Sequence, residues 1–196
     1  MSDRAWVLRS HRARWEVAFA GLALLLPWIV PSHAMMINEI AITALFALSL
    51  DLILGYTGIV SLGHAAFFGF GAYSAALFAK HAVPDPLIGL CVAAVLTAAL
   101  GLLCSVTVLR GSDLTRLMVT LGAALILLEL ANKLDWLTGG SDGLQGVMIG
   151  PLLGRFEFDL YGQTAAWYSL TVLLLLFALA RRWVQSPWGA TLMAVR

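Results

Sequence analysis

Three ionisable side chains lie within or beside long apolar stretches of this chain, where a charge or a proton could do chemistry: Asp51, His64 and Glu129. Each belongs to a different stretch and is expected at a different height, so they do not form the paired acid and base of a catalytic site. No second histidine stands at ligand spacing from His64, and no phosphate loop of the form GxxxxGK followed by Ser or Thr occurs. The residues therefore predict no enzyme, no cofactor, no metal site and no nucleotide-binding domain in this sequence.

The composition of the chain is that of a membrane protein. It has 196 residues, of which 61% are hydrophobic and only 12% are charged, and its mean hydropathy is +0.90. Soluble domains are about 45 to 50% apolar and about 25% charged, so this excess of apolar surface has no place in water. A soluble enzyme is effectively excluded, and a formal net charge of +1 gives no indication of a nucleic-acid partner.

Six apolar segments are the candidate membrane-spanning helices, at residues 17–30, 37–54, 59–79, 87–109, 117–130 and 165–180. The fourth runs for 23 residues without a charge and by itself meets the length of about 20 residues that a bilayer requires. The first, fifth and sixth are shorter, and we expect them to extend over flanking residues such as Trp15, Trp136 and Trp167. The predicted fold is an all-α polytopic membrane protein with about six transmembrane helices, formed by residues 17–180 after a cytoplasmic N-terminal segment of residues 1–16.

The positions of the positive charges predict the orientation. With six crossings and a cytoplasmic N-terminus, all 12 Lys and Arg residues except Lys80, Lys133 and Arg155 fall on the cytoplasmic side. This asymmetry predicts that both ends of the chain are cytoplasmic. The alternative is that the first apolar segment is a cleaved signal peptide, since residues 32–34 loosely resemble a cleavage site.

A glycine-punctuated stretch joins the second segment to the third. Residues 55–64 read GYTGIVSLGH, and their glycines and hydroxyls predict a tight turn or a broken helix. In the helix that follows, Ser61 and His64 share a face that is otherwise mostly small. Such a face favours close packing and a hydrogen bond between helices. The same two side chains could instead line a polar pathway, because an ionisable group at membrane depth needs protein or water around it.

Three ordered blocks of the sequence resemble one family of transport proteins. They are GYTGIVSLGHAAFFGFGAY at residues 55–73, the pair VLRG and VTLG at residues 108–111 and 119–122, and TGGSDGL at residues 138–144. Together they resemble the membrane permeases of branched-chain amino acid ABC importers, in particular the LivM-like half. The resemblance implies a subunit that forms part of a solute translocation pathway in the bacterial inner membrane and does no covalent chemistry.

The resemblance also implies partners. These are a second permease subunit, identical or related, cytoplasmic ATP-binding subunits, a periplasmic solute-binding protein and the lipid bilayer. A related urea or short-chain amide permease shares the architecture and is the alternative. Residues 186–196, SPWGATLMAVR, are similar to the start of the family's cytoplasmic coupling helix, so we expect a coupling segment over residues 181–196. Since the family's proteins continue beyond this point, we also expect a C-terminally truncated fragment, which would neither bind its ATPase stably nor sustain transport.

These observations select three groups of candidate residues. The candidates for the translocation pathway are Tyr56, Ser61, Gly63, His64, Thr120 and Glu129. The external loop candidates are Gly139, Gly140, Ser141 and Asp142. For this loop a turn-rich connector, an anion-binding nest and a docking surface for a binding protein are the open interpretations. The candidates for coupling to the ATPase are Pro187, Gly189 and Arg196. Glu129 and Lys133 also stand at the spacing of a helical ion pair, which gives Glu129 a structural alternative.

Overall fold

A computed structural model describes residues 19–58, 61–108, 113–187 and 189 of the chain. Within these ranges the regular structure is helical, apart from one isolated bridge between Leu152 and Phe156. The helices are α1 Phe19–Ile29, α2 Ala34–Asp51, α3 His64–His81, α4 Pro86–Val108, α5 Asp113–Lys133, α6 Asp135–Thr138 and α7 Gln163–Val184. A helix lies at each of the six predicted segments, and the all-α prediction is confirmed.

Four helical stretches are long and apolar enough to cross a membrane, namely Pro31–Tyr56, Pro86–Val106, Leu114–Lys133 and Gln163–Val184. α1 is also apolar, but its described part is shorter. α3 has 18 residues, yet it begins with a histidine and ends with Lys80 and His81, which lower its mean hydropathy. Two of the six predicted crossings therefore rest on less apolar or shorter helices, while the chain as a whole is a polytopic membrane protein.

The two short predicted segments in the C-terminal half are longer in the structure. α5 gains a turn at its start and ends at Lys133, and α7 continues to Val184. Trp167 lies within α7 as expected, whereas Trp136 belongs to the separate helix α6, so the expected extension over Trp136 is wrong. The helix stops earlier because Leu134, with φ −87° and ψ 51°, leaves the helical region of the backbone. Trp15 lies outside the described residues.

Contacts divide the chain into two compact units, residues 1–48 with 159–188 and residues 49–158 with 189–196. In the first unit α2 and α7 pack through small residues, and Ala34, Ala41 and Ala166 are almost fully buried there. Small side chains allow transmembrane backbones to approach closely. Gly162, which precedes α7 with φ 75°, lies against Met35 in the same unit.

In the second unit α3 packs mainly on α4, and α5 packs on both. The turn between α3 and α4 is fixed by Asp85, whose carboxylate accepts the N–H groups of Leu87 at 2.8 Å and Ile88 at 3.3 Å. Pro86 occupies the first helical position of α4, where its missing N–H costs nothing. Beside this turn, Gly150 donates its N–H to the Pro84 carbonyl at 2.7 Å.

The predicted break between the second and third segments is present. α2 continues as a π-helical segment, Leu52–Thr57, and Gly58 ends it with φ 70°, a left-handed conformation that glycine adopts without strain. Residues 61–63 are not helical, and α3 begins at His64. π-Helical turns are rare and concentrate at functional sites. The predicted break is thus present, but the prediction that Ser61 shares a helical face with His64 is wrong, because α3 begins only at His64.

Candidate functional site

A cavity of about 290 Å³ lies beside this break, between the π-helical segment, the start of α3, α4 and α5. Its walls are mostly apolar. The polar groups in the lining come from Ser61, His64, Thr97, Cys104, Ser105 and Thr120. Since a cavity of about 150 Å³ can bind benzene, this one has room for a small solute of about ten non-hydrogen atoms. An apolar cavity with a few convergent polar groups is the usual form of a small-molecule site.

His64 joins two helices and also lines the cavity. Its Nε2 atom forms a hydrogen bond of 2.7 Å with the Ser49 hydroxyl, which connects the start of α3 to the end of α2 across the break. The two interpretations of His64 from the sequence, a hydrogen bond between helices and a position on a pathway, are thus compatible with one geometry. The imidazole is half-buried, so one part of the ring packs while another faces the cavity.

Thr120 of α5 holds the non-helical residues of the break in place. Its Oγ1 accepts the N–H of Leu62 at 3.3 Å and donates to the Leu117 carbonyl at 3.1 Å. A Cβ at Gly63 would overlap the Thr120 carbonyl, so glycine is required for this close approach. The result is that three neighbouring pathway candidates at the break, Ser61, Gly63 and His64, meet a fourth, Thr120 of α5.

The two remaining pathway candidates lie elsewhere. Tyr56 is half-buried in the π-helical segment and does not contribute to the lining of this cavity. Glu129 forms an ion pair with Lys133, with Oε1 3.3 Å from Nζ, as their spacing predicted. The Glu129 side chain is 62% exposed in the chain and is not part of the cavity lining. The structure therefore brings neither of them to the other four.

The external loop block forms a compact turn rather than an open nest. Thr138 ends α6 and is buried, with its hydroxyl 2.5 Å from the Ala131 carbonyl and 2.9 Å from that of Leu134. Gly139 and Gly140 have φ of 78° and 58°, where an added Cβ would overlap the Gly143 carbonyl and the Asp135 carboxylate respectively. Backbone N–H groups that already donate within this part of the chain are those of Gly139, Gly140, Asp142 and Gly143.

The coupling candidates lie at the edge of the described residues. Pro187 and Gly189 are helical, and Arg196 lies outside the described residues. The Ser186 hydroxyl, just before Pro187, donates back to the Trp183 carbonyl at 2.5 Å. The Ser186 hydroxyl thus completes the end of α7.

Sequence reasoning missed Ser49, Thr97, Cys104 and Ser105. Three of them share one face of α4, because residues 97, 104 and 105 are separated by seven and eight positions, close to two helical turns. The sequence contains that spacing, but α4 has no charged residue that would indicate a site. The partnership of Ser49 with His64 crosses a break, so no helical periodicity could reveal it.

A larger cavity of about 500 Å³ lies between α3, α5 and α6, and its walls are almost entirely apolar. Two of its hydroxyls already have partners, since Ser74 donates to the Phe70 carbonyl at 2.7 Å and Thr138 donates within its own turn, while Tyr73 adds a third hydroxyl to the lining. This cavity therefore offers a solute apolar contact and little else.

Long apolar helices and a small cavity beside a helix break define a polytopic membrane protein of the transport type. Residues 32–196 match the model of a family described as the permease component of the branched-chain amino acid transport system. The chain belongs to this permease family, and the resemblance carried by the three sequence blocks is confirmed. Neither a curated protein nor a solved structure matches the chain.

Proposed function

We propose that the chain is a permease subunit of an ATP-driven importer for branched-chain amino acids, and that its cavity beside the break forms part of the solute pathway. The observation that carries the proposal is the meeting of Ser61, Gly63, His64 and Thr120 at the helix break. Non-helical backbone at membrane depth is tolerated where it is enclosed by protein or lines a water-filled cavity. A polar group in such a place is characteristic of a solute or ion route.

The chemistry of the lining suits an aliphatic amino acid. Ile53, Phe67 and Val119 offer apolar contact for a branched side chain, while the hydroxyls and the imidazole offer hydrogen bonds for its polar end. Leucine has a size that this volume accommodates, and so does the smaller urea molecule. Apolar walls favour the amino acid over urea, because urea gains little from burying apolar surface.

The remaining parts of the system follow from the family. A component of a transport system works with others, and we propose a second permease subunit, cytoplasmic ATP-binding subunits and a periplasmic solute-binding protein. The distribution of Lys and Arg supports a location in the bacterial inner membrane with the N-terminus in the cytoplasm. Residues 181–196 would begin the segment that couples to the ATPase, with Pro187, Gly189 and Arg196 as its candidates.

The test is uptake of radiolabelled leucine and urea by cells that express the complete gene product containing this chain, together with the other subunits of its own system. We expect leucine uptake, and we expect His64→Ala to reduce it at least tenfold, as loss of a polar contact of about 1.4 kcal/mol would. Uptake of urea alone would replace the proposed solute by the alternative. Absence of uptake for both probes would contradict the permease role of this chain.

Ser49→Ala separates the two interpretations of His64. It removes the 2.7 Å hydrogen bond between helices but leaves the imidazole at the cavity. We expect Ser49→Ala to lower the free energy of unfolding by about 1 kcal/mol while leucine uptake falls less than twofold. Thr43→Ala is the matched control on the same helix, because its exposed hydroxyl donates to the Glu39 carbonyl. Equal losses of uptake in Ser49→Ala and His64→Ala would show that His64 acts only through packing.

A further inference from the structure

Thr97 differs from the other helical hydroxyls in the part of the chain that the structure describes. In a helix, a serine or threonine usually donates to the carbonyl three or four residues earlier. Ser74, Thr120 and Thr171 do so here, and on α4 itself Ser105 donates to the Leu102 carbonyl at 2.7 Å. The Oγ1 atom of Thr97 is buried but has no hydrogen-bond partner among the described residues.

The position of Thr97 makes this unusual. α4 runs from Pro86 to Val108, and Thr97 is its central residue. At 1.5 Å per residue it lies about 16 Å from either end, which is the middle of a hydrocarbon layer about 30 Å thick. A hydroxyl without a partner is most costly at this depth, because water is not available to replace the missing bond. Apolar packing alone therefore does not explain a threonine at this position.

The hydroxyl lies between α3 and the cavity. Thr97 is part of the cavity lining together with His64, and an added Cβ at Gly71 of α3 would be 3.1 Å from its Oγ1. Gly71 is seven residues beyond His64, so Thr97 is about 10 Å deeper than His64 along the helix axis. Thr97 therefore lines the cavity at a greater depth than His64. Its Oγ1 atom is turned toward Gly71 and is closed off from the cavity, so a rotation about χ1 is needed to present the hydroxyl to a solute.

We propose that Thr97 is a solute-contacting residue of the pathway, and that its hydroxyl binds a polar group of the transported amino acid at mid-depth. This inference rests on the proposed transport function and adds a second contact point to it. A hydroxyl can donate to a carboxylate or accept from an ammonium group, so it serves a zwitterion in either direction. The bound solute supplies the hydrogen-bond partner that the protein itself does not. This explains why a threonine without a partner occupies the middle of a helix that has no charged residues.

The experiment compares Thr97→Val with Thr97→Ser and with the control Thr171→Val, whose exposed hydroxyl donates to the Trp167 carbonyl. Valine has nearly the shape of threonine without the hydroxyl. In the uptake assay with tritiated leucine, we expect Thr97→Val to raise KM about tenfold with kcat changed less than about twofold. Thr97→Ser and Thr171→Val should stay within about threefold of the unchanged protein.

Thermal unfolding of the purified chain in detergent provides the readout that a structural role would move. Since Thr97 has no partner within the described protein, Thr97→Val should leave the Tm unchanged or raise it. A lower Tm together with an unchanged KM would show that the hydroxyl serves packing and would overturn the proposal. If the unchanged protein transports leucine and Thr97→Val transports it with the same KM, the proposal for Thr97 fails while the permease role stands. If the unchanged protein takes up neither leucine nor urea, both fail.

Gly71→Ala provides a second variant that keeps Thr97 intact. Its Cβ would crowd the Thr97 hydroxyl, whereas a Cβ at Gly69, two residues earlier on α3, meets nothing within 4 Å. We expect Gly71→Ala to raise the KM for leucine and Gly69→Ala to leave it within about twofold of the original value. Equal KM values for these two variants would contradict a contact between the solute and this part of α4.

Discussion

Gly63→Ala is the sharpest test of how the break is held. Gly63 has φ −91° and ψ 2°, a conformation open to any residue, so backbone strain does not select glycine here. What selects it is the Thr120 carbonyl, which an added Cβ would overlap. Both groups belong to the backbone, so no flexible side chain can move away, and α3 and α5 must separate. Overpacking of this kind costs about 1–3 kcal/mol.

The separation has a second consequence for the same residues. The N–H of Leu62 would lose its 3.3 Å hydrogen bond to Thr120 Oγ1, which adds about 0.5–1.5 kcal/mol. We therefore expect Gly63→Ala to lower the free energy of unfolding by about 1.5–4.5 kcal/mol in total. The assay is reversible unfolding in mixed detergent micelles, followed by the helical circular dichroism signal.

Gly122→Ala is the matched control for this measurement. Gly122 lies on α5 only two residues from Thr120, and an added Cβ there meets nothing within 4 Å. Alanine in a helix is more favourable than glycine by up to about 1 kcal/mol, so this variant should be as stable as the original or slightly more stable. If Gly63→Ala proved as stable as Gly122→Ala, the close approach of the break to α5 would be refuted.

Three further predictions concern the cavity, the ion pair and the external loop. In the Cys91→Ala variant reconstituted in nanodiscs, a water-soluble maleimide should label Cys104, and added leucine should slow this labelling. Labelling of Cys104 only after denaturation would show that the cavity excludes water. Glu129→Gln should change the free energy of unfolding by less than about 0.5 kcal/mol, because its ion pair is exposed, and a large loss of leucine uptake would instead assign Glu129 to the pathway. Gly140→Ala should destabilise the chain more than Gly146→Ala in the micelle assay, because both have positive φ but only Gly140 also faces a carboxylate; equal effects would contradict the packing of this turn.

Hydropathy was sufficient to locate the helices but not always to end them. α4 was predicted at residues 87–109 and runs from Pro86 to Val108, because an uncharged apolar run and a proline start leave little ambiguity. α5 was predicted at residues 117–130 and begins at Asp113 instead. A hydropathy window stops at the first charged residues, whereas helical hydrogen bonds continue through them wherever the side chains can reach water or a partner.

The site was predictable in part for a related reason. Glycines and hydroxyls close together in sequence predicted the break, and the VTLG motif at residues 119–122 indicated Thr120. The contacts that assemble the site join residues 15 and 58 positions apart, Ser49 with His64 and Leu62 with Thr120. Such pairs depend on how helices pack and on their rotation about their axes, and a single sequence gives no measure of either.

The distribution of hydroxyl bonds explains how these helices can be stable in lipid and still carry a polar site. Most helical hydroxyls whose bonds are known here donate to their own helix, as Thr43, Ser105 and Ser169 do, and so require nothing from a neighbour. There are two exceptions: Ser49 bonds to His64 across the break, and Thr97, in the middle of α4, bonds to no described group. Because a polar group without a local partner is costly in a bilayer, we propose that these exceptions belong to the solute pathway. A solute that bonds to Thr97 would recover that cost at one depth, and it could then move on only if another group offered a comparable bond.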